Sequence, residues 1–299
     1  MRVVSLCPSN TEMVCALGFG NQLVGVDRWS LEDPELCRHL PGQGRGVADV
    51  GSDLHIDLEV IRALKPDLVL ASLSVPGMER NVAQLEAAGL PHLVVDGHSL
   101  AGVQRGILQV AEALGADAAG RALADRFAAT VDEVRARAHD ARRRLADAGR
   151  EAELPRRAVW EWWPKPVIVA GRCSWIQDFF EILGVENAFA DLDSESRPVE
   201  DEEVLLRAPD TLCASWCGSA EKRMSLARIA RRPGWRDLPA WQARRIFFLP
   251  ERLTGRPGPS LMSGLKELYE MFYGDRKAAM ARAAAAAKLD PDALVWPHG

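Results

Sequence analysis

The sequence predicts an α/β fold: two Rossmann-like lobes with mainly parallel sheets, joined by one long backbone α-helix. The strongest support is an internal repeat, because residues 59–72 align without a gap with residues 202–215 in a chain of 299 residues. Glu, Pro, Asp, Ala and Ser recur at matching positions of the two segments. A repeat near half the chain length indicates two similar lobes with a cleft between them, and clefts at domain interfaces bind small molecules.

Short apolar segments alternate with amphipathic ones, which is typical of parallel sheets covered by helices. In the first lobe we predict strands at residues 2–6, 23–27, 68–72 and 92–95, and helices at 9–17, 57–64, 79–88 and 99–114. Pro66 separates the second of these helices from a buried strand, because proline disfavours the helical conformation of the residue before it. Ser9 and Glu12 have the spacing of a capping box for the first helix, and Ser174 caps a matching helix in the second lobe.

One uninterrupted helical pattern lies between the lobes. From Asp117 to about Ala148 the chain has no proline and a single glycine, and Leu123, Phe127 and Val131 recur at helical spacing. In the second lobe we predict strands near residues 157–161, 166–170, 211–216 and 245–249, and helices at 260–273 and 277–288. The organisation is therefore an N-terminal α/β lobe (1–115), a connecting helix (116–150) and a C-terminal α/β lobe (151–299).

Composition argues against several classes of protein. Hydrophobic residues make up 47% and charged residues 26%, and the net charge of -5 gives no reason to expect a nucleic-acid partner. No apolar run is long enough to span a membrane. The six cysteines show no disulfide or metal spacing, so we expect free thiols and no bound metal. No signal sequence is visible before the first strand, so we expect a cytoplasmic chain as written, or the periplasm or cell envelope if the true start lies upstream.

Tryptophans are concentrated near the ends of predicted strands in the second lobe. The chain has nine Trp and two Tyr, and residues 160–166 read Trp-Glu-Trp-Trp-Pro-Lys-Pro. Indoles in proline-containing loops suit a surface that binds a large, flat, partly apolar ligand, and ligands gather at the carboxyl ends of parallel strands. The candidate ligand contacts are Trp29, Ser72, Ser74, Trp160, Trp162, Trp163, Trp175, Trp216 and Arg256. The alternatives are that the indoles pack structurally and that Arg256 is a solvated loop cation.

No catalytic constellation is visible in the sequence. It contains no Gly-x-Ser-x-Gly, His-Glu-x-x-His, phosphate loop or Gly-x-Gly-x-x-Gly. Among the six scattered histidines, His55 is the best candidate for contacting a bound metal, although an ordinary surface histidine explains it better. We therefore expect a monomeric, non-enzymatic binding protein with no catalytic residue and no catalytic cofactor.

Several motifs are distributed over most of the chain. The N-terminal Val-Val-Ser-Leu-Cys-Pro-Ser-Asn-Thr-Glu is followed by Leu-Glu-Val-Ile-Arg-Ala-Leu-Lys-Pro-Asp-Leu-Val-Leu; later come Trp160-Glu161, Ala170-Gly171 and Gly184 to Asn187. Together they resemble the cobalamin-binding substrate-binding proteins of ABC importers, in a superfamily that also includes siderophore and haem binders. The resemblance implies two lobes joined by a rigid helix, a corrinoid held between them against aromatic residues, and one exposed glutamate per lobe that docks on the permease.

By motif position the docking glutamates would be Glu79 and Glu221, which the internal repeat places within one residue of symmetry. The chain departs from the family at Trp29–Pro34, which lacks the aromatic residue expected beside that proline. We expect the chain to bind cobalamin in the cleft, as part of a vitamin importer or as a cytosolic relative. The alternatives are a haem or ferric-siderophore binding protein and a cytosolic corrinoid-handling enzyme.

Overall fold

The computed structural model describes residues 1–289 and residue 296, which divide into two compact units. Unit 1 comprises Met1–Ala128 together with Arg256–Pro259, and unit 2 comprises the described residues of 129–255 and from 260 onward. The division falls within a helix of 31 residues, Asp117–Asp147, which therefore contributes to both units. The predicted α/β class with one long helix is confirmed.

Unit 1 is a parallel sheet covered by helices. Its strands are β1 (Val3–Ser5), β2 (Leu23–Val26), β3 (Ala48–Asp49), β4 (Gly51–Ser52), β5 (His55–Ile56), β6 (Leu68–Ser72) and β7 (His92–Val95). Its helices are α1 (Pro8–Ala16), α2 (Arg28–Glu32), α3 (Pro34–Cys37), α4 (Leu58–Leu64), α5 (Glu79–Ala87), α6 (Leu100–Ala113) and the first part of α7 (Asp117–Asp147). Five strands pair in parallel in the order β3-β2-β1-β6-β7, and β4 pairs with β5 alone.

Unit 2 has a six-stranded sheet that mixes both pairing directions. Its strands are β8 (Arg157–Pro164), β9 (Val167–Ala170), β10 (Glu186–Asn187), β11 (Ser196–Val199), β12 (Thr211–Ala214) and β13 (Ile246–Phe248). Its helices are the rest of α7, then α8 (Trp175–Leu183), α9 (Asp201–Arg207), α10 (Leu226–Ala230), α11 (Pro239–Gln242), α12 (Glu251–Thr254), α13 (Leu261–Tyr273) and α14 (Arg276–Ala286). The strand order is β11-β9-β8-β12-β13, with β10 also paired to β8.

Parallel pairing in unit 2 is confined to β8, β10, β12 and β13, while β9 is antiparallel to both β8 and β11. The second strand therefore returns beside the first through the turn at Lys165 and Pro166, because two residues are too few for a parallel crossover. The sequence did not predict β11. Its first residues, Ser196, Arg197 and Pro198, are exposed and give no apolar strand signal.

The helix caps separate a correct prediction from a wrong one. Ser174 caps α8 as predicted, since its Oγ accepts a hydrogen bond from the Ile176 amide at 3.2 Å. Ser9 does not cap α1: that helix begins at Pro8 and its N-cap is Cys7. Proline is favoured in the first helical turn because the amide it lacks would have no helical partner there, so the helix starts earlier than the serine suggests.

The internal repeat is reproduced in backbone detail. The helix before each Pro-Asp pair ends in a left-handed residue, Lys65 (φ 47°) in unit 1 and Ala208 (φ 45°) in unit 2. Asp67 accepts from the amide of Arg2, just before β1, at 2.6 Å, and Asp210 accepts from the amide of Arg156, just before β8, at 2.9 Å. Each Pro-Asp pair thus starts one central strand and fixes the start of its neighbour.

The left-handed residue at the end of α9 leads to a stability prediction. A side chain in this conformation costs about 1 kcal/mol, and glycine removes part of that cost. We expect Ala208→Gly to raise the free energy of unfolding by about 0.5 kcal/mol in urea titrations. Ala63→Gly, within α4, is the matched control and should lower the free energy of unfolding by about 1 kcal/mol. Destabilisation of similar size by both changes would show that the left-handed residue is not strained.

Candidate ligand-binding site

The carboxyl end of β2 presents an exposed indole. Trp29 lies in α2, directly after the strand, and 46% of its surface is exposed. Its Nε1 donates to Asp53 Oδ1 at 3.0 Å, and the backbone carbonyl of Asp53 accepts from Asn81 in α5 at 2.6 Å. Asp53 therefore fixes the edge of the indole and leaves the ring available to solvent.

A buried polar network lies beneath Trp29. Asp27 has no exposed surface and caps α2, accepting from the Ser30 amide at 3.0 Å and from Ser30 Oγ at 2.5 Å. Ser30 Oγ also lies 2.9 Å from Thr11 Oγ1, which donates to Ser5 Oγ at 2.8 Å. Burial raises the pKa of Asp27 to about 6, with a smaller contribution from the charge of Asp53, although the hydrogen bonds from Ser30 act in the opposite direction.

The loop after β6 extends the same edge of the sheet. Ser72 is buried and its Oγ bonds the amide and the hydroxyl of Ser74, at 3.1 and 3.0 Å. Leu73 and Val75 alternate with them and are 37% and 39% exposed. Because the carboxyl ends of parallel strands meet at one edge, this loop and Trp29 form a mixed apolar and hydroxyl surface in unit 1. Ser72 and Ser74 belong to that surface as a bonded pair, with Ser74 the more exposed of the two.

In unit 2 the predicted indole platform is largely core. Trp160, Trp216 and Trp175 are 0%, 1% and 6% exposed, so the structural alternative describes these three. Trp175 donates from Nε1 to the carbonyl of Thr254 at 2.8 Å. Trp162 is half-buried and packs edge-on between Trp160 and Trp175, with ring centroids 5.4 and 6.0 Å apart. Of this row, Trp162 is the indole that keeps exposed surface.

Trp163 faces away from this aromatic row. The pairing of β8 with β9 is irregular between Glu161 and Trp163, and Trp163 packs against the core cluster that contains Trp216 and Trp235. Its Nε1 donates to the carbonyl of Lys165 at 3.0 Å, which closes the turn between β8 and β9. The adjacent pair Trp162-Trp163 therefore contributes to two different surfaces of unit 2.

A buried ion pair lies at the centre of the unit 2 sheet. Glu161 has no exposed surface, and its two oxygens accept from both terminal nitrogens of Arg232 at 2.5 and 2.7 Å. Trp216 Nε1 donates to the same carboxylate at 2.7 Å. The Arg232 guanidinium also stacks on Trp235, 4.2 Å from the ring centroid. This pair was not predicted from the sequence, although a glutamate between tryptophans in an apolar strand requires a buried partner.

Arg256 makes ion pairs within unit 1 and is not a solvated loop cation. Its side chain is 16% exposed, 2.7 Å from Asp33 Oδ2 and 3.4 Å from Glu12 Oε2. Burial alone would raise the pKa of Asp33, but the charge and hydrogen bond of Arg256 outweigh it and hold that pKa below its usual range. Arg256 thus anchors the segment Arg256–Pro259 onto α1 and α3, and its guanidinium is engaged by these acids.

The two predicted docking glutamates have different environments. Glu79 is exposed at the start of α5, where its carboxylate accepts from the Gly77 amide at 2.8 Å and the local amides hold its pKa below the usual range. Glu221 is half-buried in a 3-10 segment, Gly218–Arg223, and its Oε1 accepts from the Glu251 amide at 2.6 Å. The two glutamates therefore occupy nearly equivalent positions in the repeat, but Glu79 is exposed whereas Glu221 is half-buried.

The described residues contain no cluster of three or more side chains that could hold a metal ion. His55 is exposed on β5, in the short hairpin that precedes α4. No helix in the described part of the chain combines the length and apolarity needed to cross a membrane.

Comparison with known proteins identifies the class. The chain matches the periplasmic binding protein family over residues 3–253 and belongs to it. A substrate-binding lipoprotein of an ABC transporter from Bacillus subtilis is 28% identical over 277 residues, covering 92% of this chain and 80% of the relative. The protein is thus of the substrate-binding type found in ABC importers.

Two further relatives bear on the ligand. A vitamin B12-binding protein of Pectobacterium carotovorum is 29% identical over 271 residues, covering 89% of this chain and 86% of the relative. The structure of a periplasmic heme-binding protein from Roseiflexus sp. RS-1 is 30% identical, with a TM-score of 0.71, covering 93% of this chain and 98% of that one. The chain is about equally similar to the vitamin B12-binding and the heme-binding protein. The similarity therefore identifies the class of protein but does not choose between these two ligands.

The raised pKa of Asp27 predicts an unusual pH dependence of stability. Between about pH 4 and 6 the folded protein holds a proton that the unfolded chain releases, so ionisation of Asp27 costs about 3 kcal/mol of stability as the pH rises through this window. Asp27→Asn has no such proton. We expect the stability of the wild type to fall by about that amount relative to the variant, measured by urea unfolding across the window. Asp33→Asn is the control: because the pKa of Asp33 is lowered, the stability of the wild type relative to this variant should be nearly constant across this window and should fall only below about pH 4. If the difference in free energy of unfolding between the wild type and Asp27→Asn does not change with pH, the pKa of Asp27 is not raised.

The buried ion pair predicts strong coupling. Glu161→Gln leaves the Arg232 charge without a counterion, and we expect it to lower the free energy of unfolding by about 3 kcal/mol. Arg232→Gln should lower the free energy of unfolding by a similar amount. The double variant should lower it by much less than the sum of the two single effects. A double-mutant cycle in urea measures this coupling; additive effects would mean that the two charges do not stabilise each other.

Proposed function

We propose that this protein binds a corrinoid, cobalamin, as the substrate-binding component of an ABC-type vitamin importer. The observation that carries the proposal is the exposed Trp29 ring, which Asp53 holds by its edge at the carboxyl end of β2. A flat ring fixed in this way contacts a rigid macrocycle with little loss of side-chain entropy. The relatives that bind vitamin B12 support the same choice of ligand.

The chemistry of the unit 1 surface suits a corrin with amide side chains. Leu73 and Val75 offer apolar contact, and beside them lies the hydroxyl of Ser74, which accepts from Ser72 Oγ and makes only a weak, 3.9 Å bond to Met78 Sδ that a ligand can displace. Hydroxyls can donate to and accept from amides, so they bind the groups at the rim of a corrin without requiring a charged ligand. In unit 2, Trp162 is the indole of the aromatic row that offers exposed surface to a ligand.

Haem is the second candidate, favoured by the heme-binding protein that is 30% identical to this chain. A haem iron takes an axial ligand from the protein, whereas the cobalt of cobalamin brings a ligand of its own. Both tyrosines pack in α13, far along the chain from the surface just described, and Tyr269 is 5% exposed. His55, exposed on β5 of unit 1, is the side chain whose replacement would reveal a haem ligand.

Calorimetric titration with cyanocobalamin, hemin and a ferric siderophore tests the proposal. We expect cyanocobalamin to bind with a dissociation constant below about 1 µM, equivalent to about -8 kcal/mol. If hemin binds and its Soret band shifts in the His55→Ala variant, the ligand is haem and not cobalamin. Heat from the siderophore alone would identify a ferric-siderophore carrier, and turnover of the corrinoid would place the protein among corrinoid-handling enzymes.

Replacement of single indoles tests the contact surfaces. Trp29→Ala should weaken cyanocobalamin binding at least tenfold, because it removes an exposed aromatic contact worth more than about 1.4 kcal/mol. Trp162→Ala should weaken binding in the same direction. Trp241→Ala is the control, since this half-buried indole belongs to α11 and packs on the core of unit 2. Equal losses of affinity in all three variants would indicate a general effect on folding. Circular dichroism would distinguish such unfolding from the loss of a ligand contact.

A further inference from the structure

Unit 2 contains a groove of about 920 Å³, lined by Trp163 and Trp216 and not by the aromatic row of Trp160, Trp162 and Trp175. We call it the basic groove and define it by the turn Trp163–Val167, residues 199–201, Trp216, Arg223, Arg228 and Arg231–Pro233. Its floor is the Trp216 ring and the Arg232 guanidinium, both held by the buried Glu161 carboxylate. The size is within the range of small-molecule sites. The proposed corrinoid surface of unit 1 and Trp162 are not part of it.

Unpaired cations surround this groove. Five basic and two acidic residues line it, in a chain whose net charge is -5. Arg232 is neutralised by Glu161, but in the described part of the chain no hydrogen bond or ion pair engages the side chains of the other four, which are Lys165, Arg223, Arg228 and Arg231. Of the acids, Asp201 accepts from Trp235 Nε1 at 3.1 Å, and Glu200 lies exposed before α9. The groove is therefore a local positive region on an acidic protein.

A further part of the lining is apolar. Trp163 is half-buried and fixed by its bond to the Lys165 carbonyl, and Pro164, Pro166, Val167 and Val199 continue this lining. Guanidinium groups bind phosphate and carboxylate through paired hydrogen bonds, and a fixed indole offers a flat surface beside them. A ligand that matches both the basic and the apolar lining carries an anionic group on an apolar or aromatic body.

We propose that the basic groove binds a phosphate ester with an apolar or aromatic body. The phosphate lies among Arg223, Arg228 and Arg231, and the apolar body lies against Trp163. Two sources share this chemistry: a free aromatic phosphate and the headgroup of an anionic phospholipid. The inference does not depend on the proposed cobalamin binding, because neither Arg228 nor Arg231 belongs to that surface.

The test uses 1-naphthyl phosphate as the probe, titrated into the full chain by calorimetry at low and moderate salt. We expect binding that weakens with salt and that falls at least tenfold in Arg228→Ala/Arg231→Ala. The control is Arg135→Ala/Arg143→Ala, which removes the same charge from exposed positions on α7. Trp163→Leu should weaken binding of naphthyl phosphate more than binding of inorganic phosphate. Cyanocobalamin titrations of the groove variants should match the wild type, which separates this inference from the proposed function.

Each outcome distinguishes the alternatives. Co-sedimentation with phosphatidylcholine vesicles that contain about one fifth phosphatidylglycerol, but not with pure phosphatidylcholine, supports a lipid headgroup as the source. Naphthyl phosphate binding without vesicle binding supports a free phosphate ester. Equal losses in the groove and control doubles would overturn the proposal, since they indicate diffuse electrostatics. Absence of both naphthyl phosphate and vesicle binding would overturn it too, as would an affinity for inorganic phosphate equal to that for naphthyl phosphate.

Discussion

The architecture of unit 2 depends on one buried charge. Glu161 lies in β8, the strand that pairs with β9, β10 and β12, and its carboxylate is removed from water. A buried carboxylate without compensation is too costly to retain, so Arg232 and the Trp216 indole must be brought to it from other parts of the chain. The segment after α10 and Trp216, two residues beyond β12, are thereby fixed against the centre of the sheet. Both the indole packing and the floor of the basic groove follow from this requirement.

The two units share a backbone design but place their polar groups differently. In each, a left-handed residue and a Pro-Asp pair start a central strand, and the aspartate binds the amide that precedes the neighbouring strand. The strand registers place Leu6 of unit 1 where unit 2 has Glu161. Unit 1 instead buries Asp27 as a helix cap beneath Trp29. A common scaffold therefore supports an exposed indole in one unit and a buried ion pair in the other.

This difference changes which tryptophans can serve a ligand. Exposure of Trp29 follows from the short helix that Asp27 caps and from the bond to Asp53. Trp160, Trp175 and Trp216 are instead core residues, and the partners of the last two, Thr254 and Glu161, are distant in sequence. The proposed ligand surface is thus smaller than the abundance of tryptophan suggested, and it includes Leu73 and Val75, which were not predicted from the sequence.

Local sequence determined the elements and the tertiary structure determined the sites. Periodicity, Pro66, Pro209 and the capping residue Ser174 act over a few positions, so β6, β7, α7 and the α/β class were predictable from the chain alone. Side-chain exposure and pairing depend on residues far apart in sequence: Arg256 reaches Asp33, Arg232 reaches Glu161, and Trp175 reaches Thr254. Neither periodicity nor motif spacing encodes such pairs. For this reason the sequence located the strands and their ends, whereas only the fold showed that Trp29 and Trp162 keep exposed surface and that Arg256 is held by carboxylates.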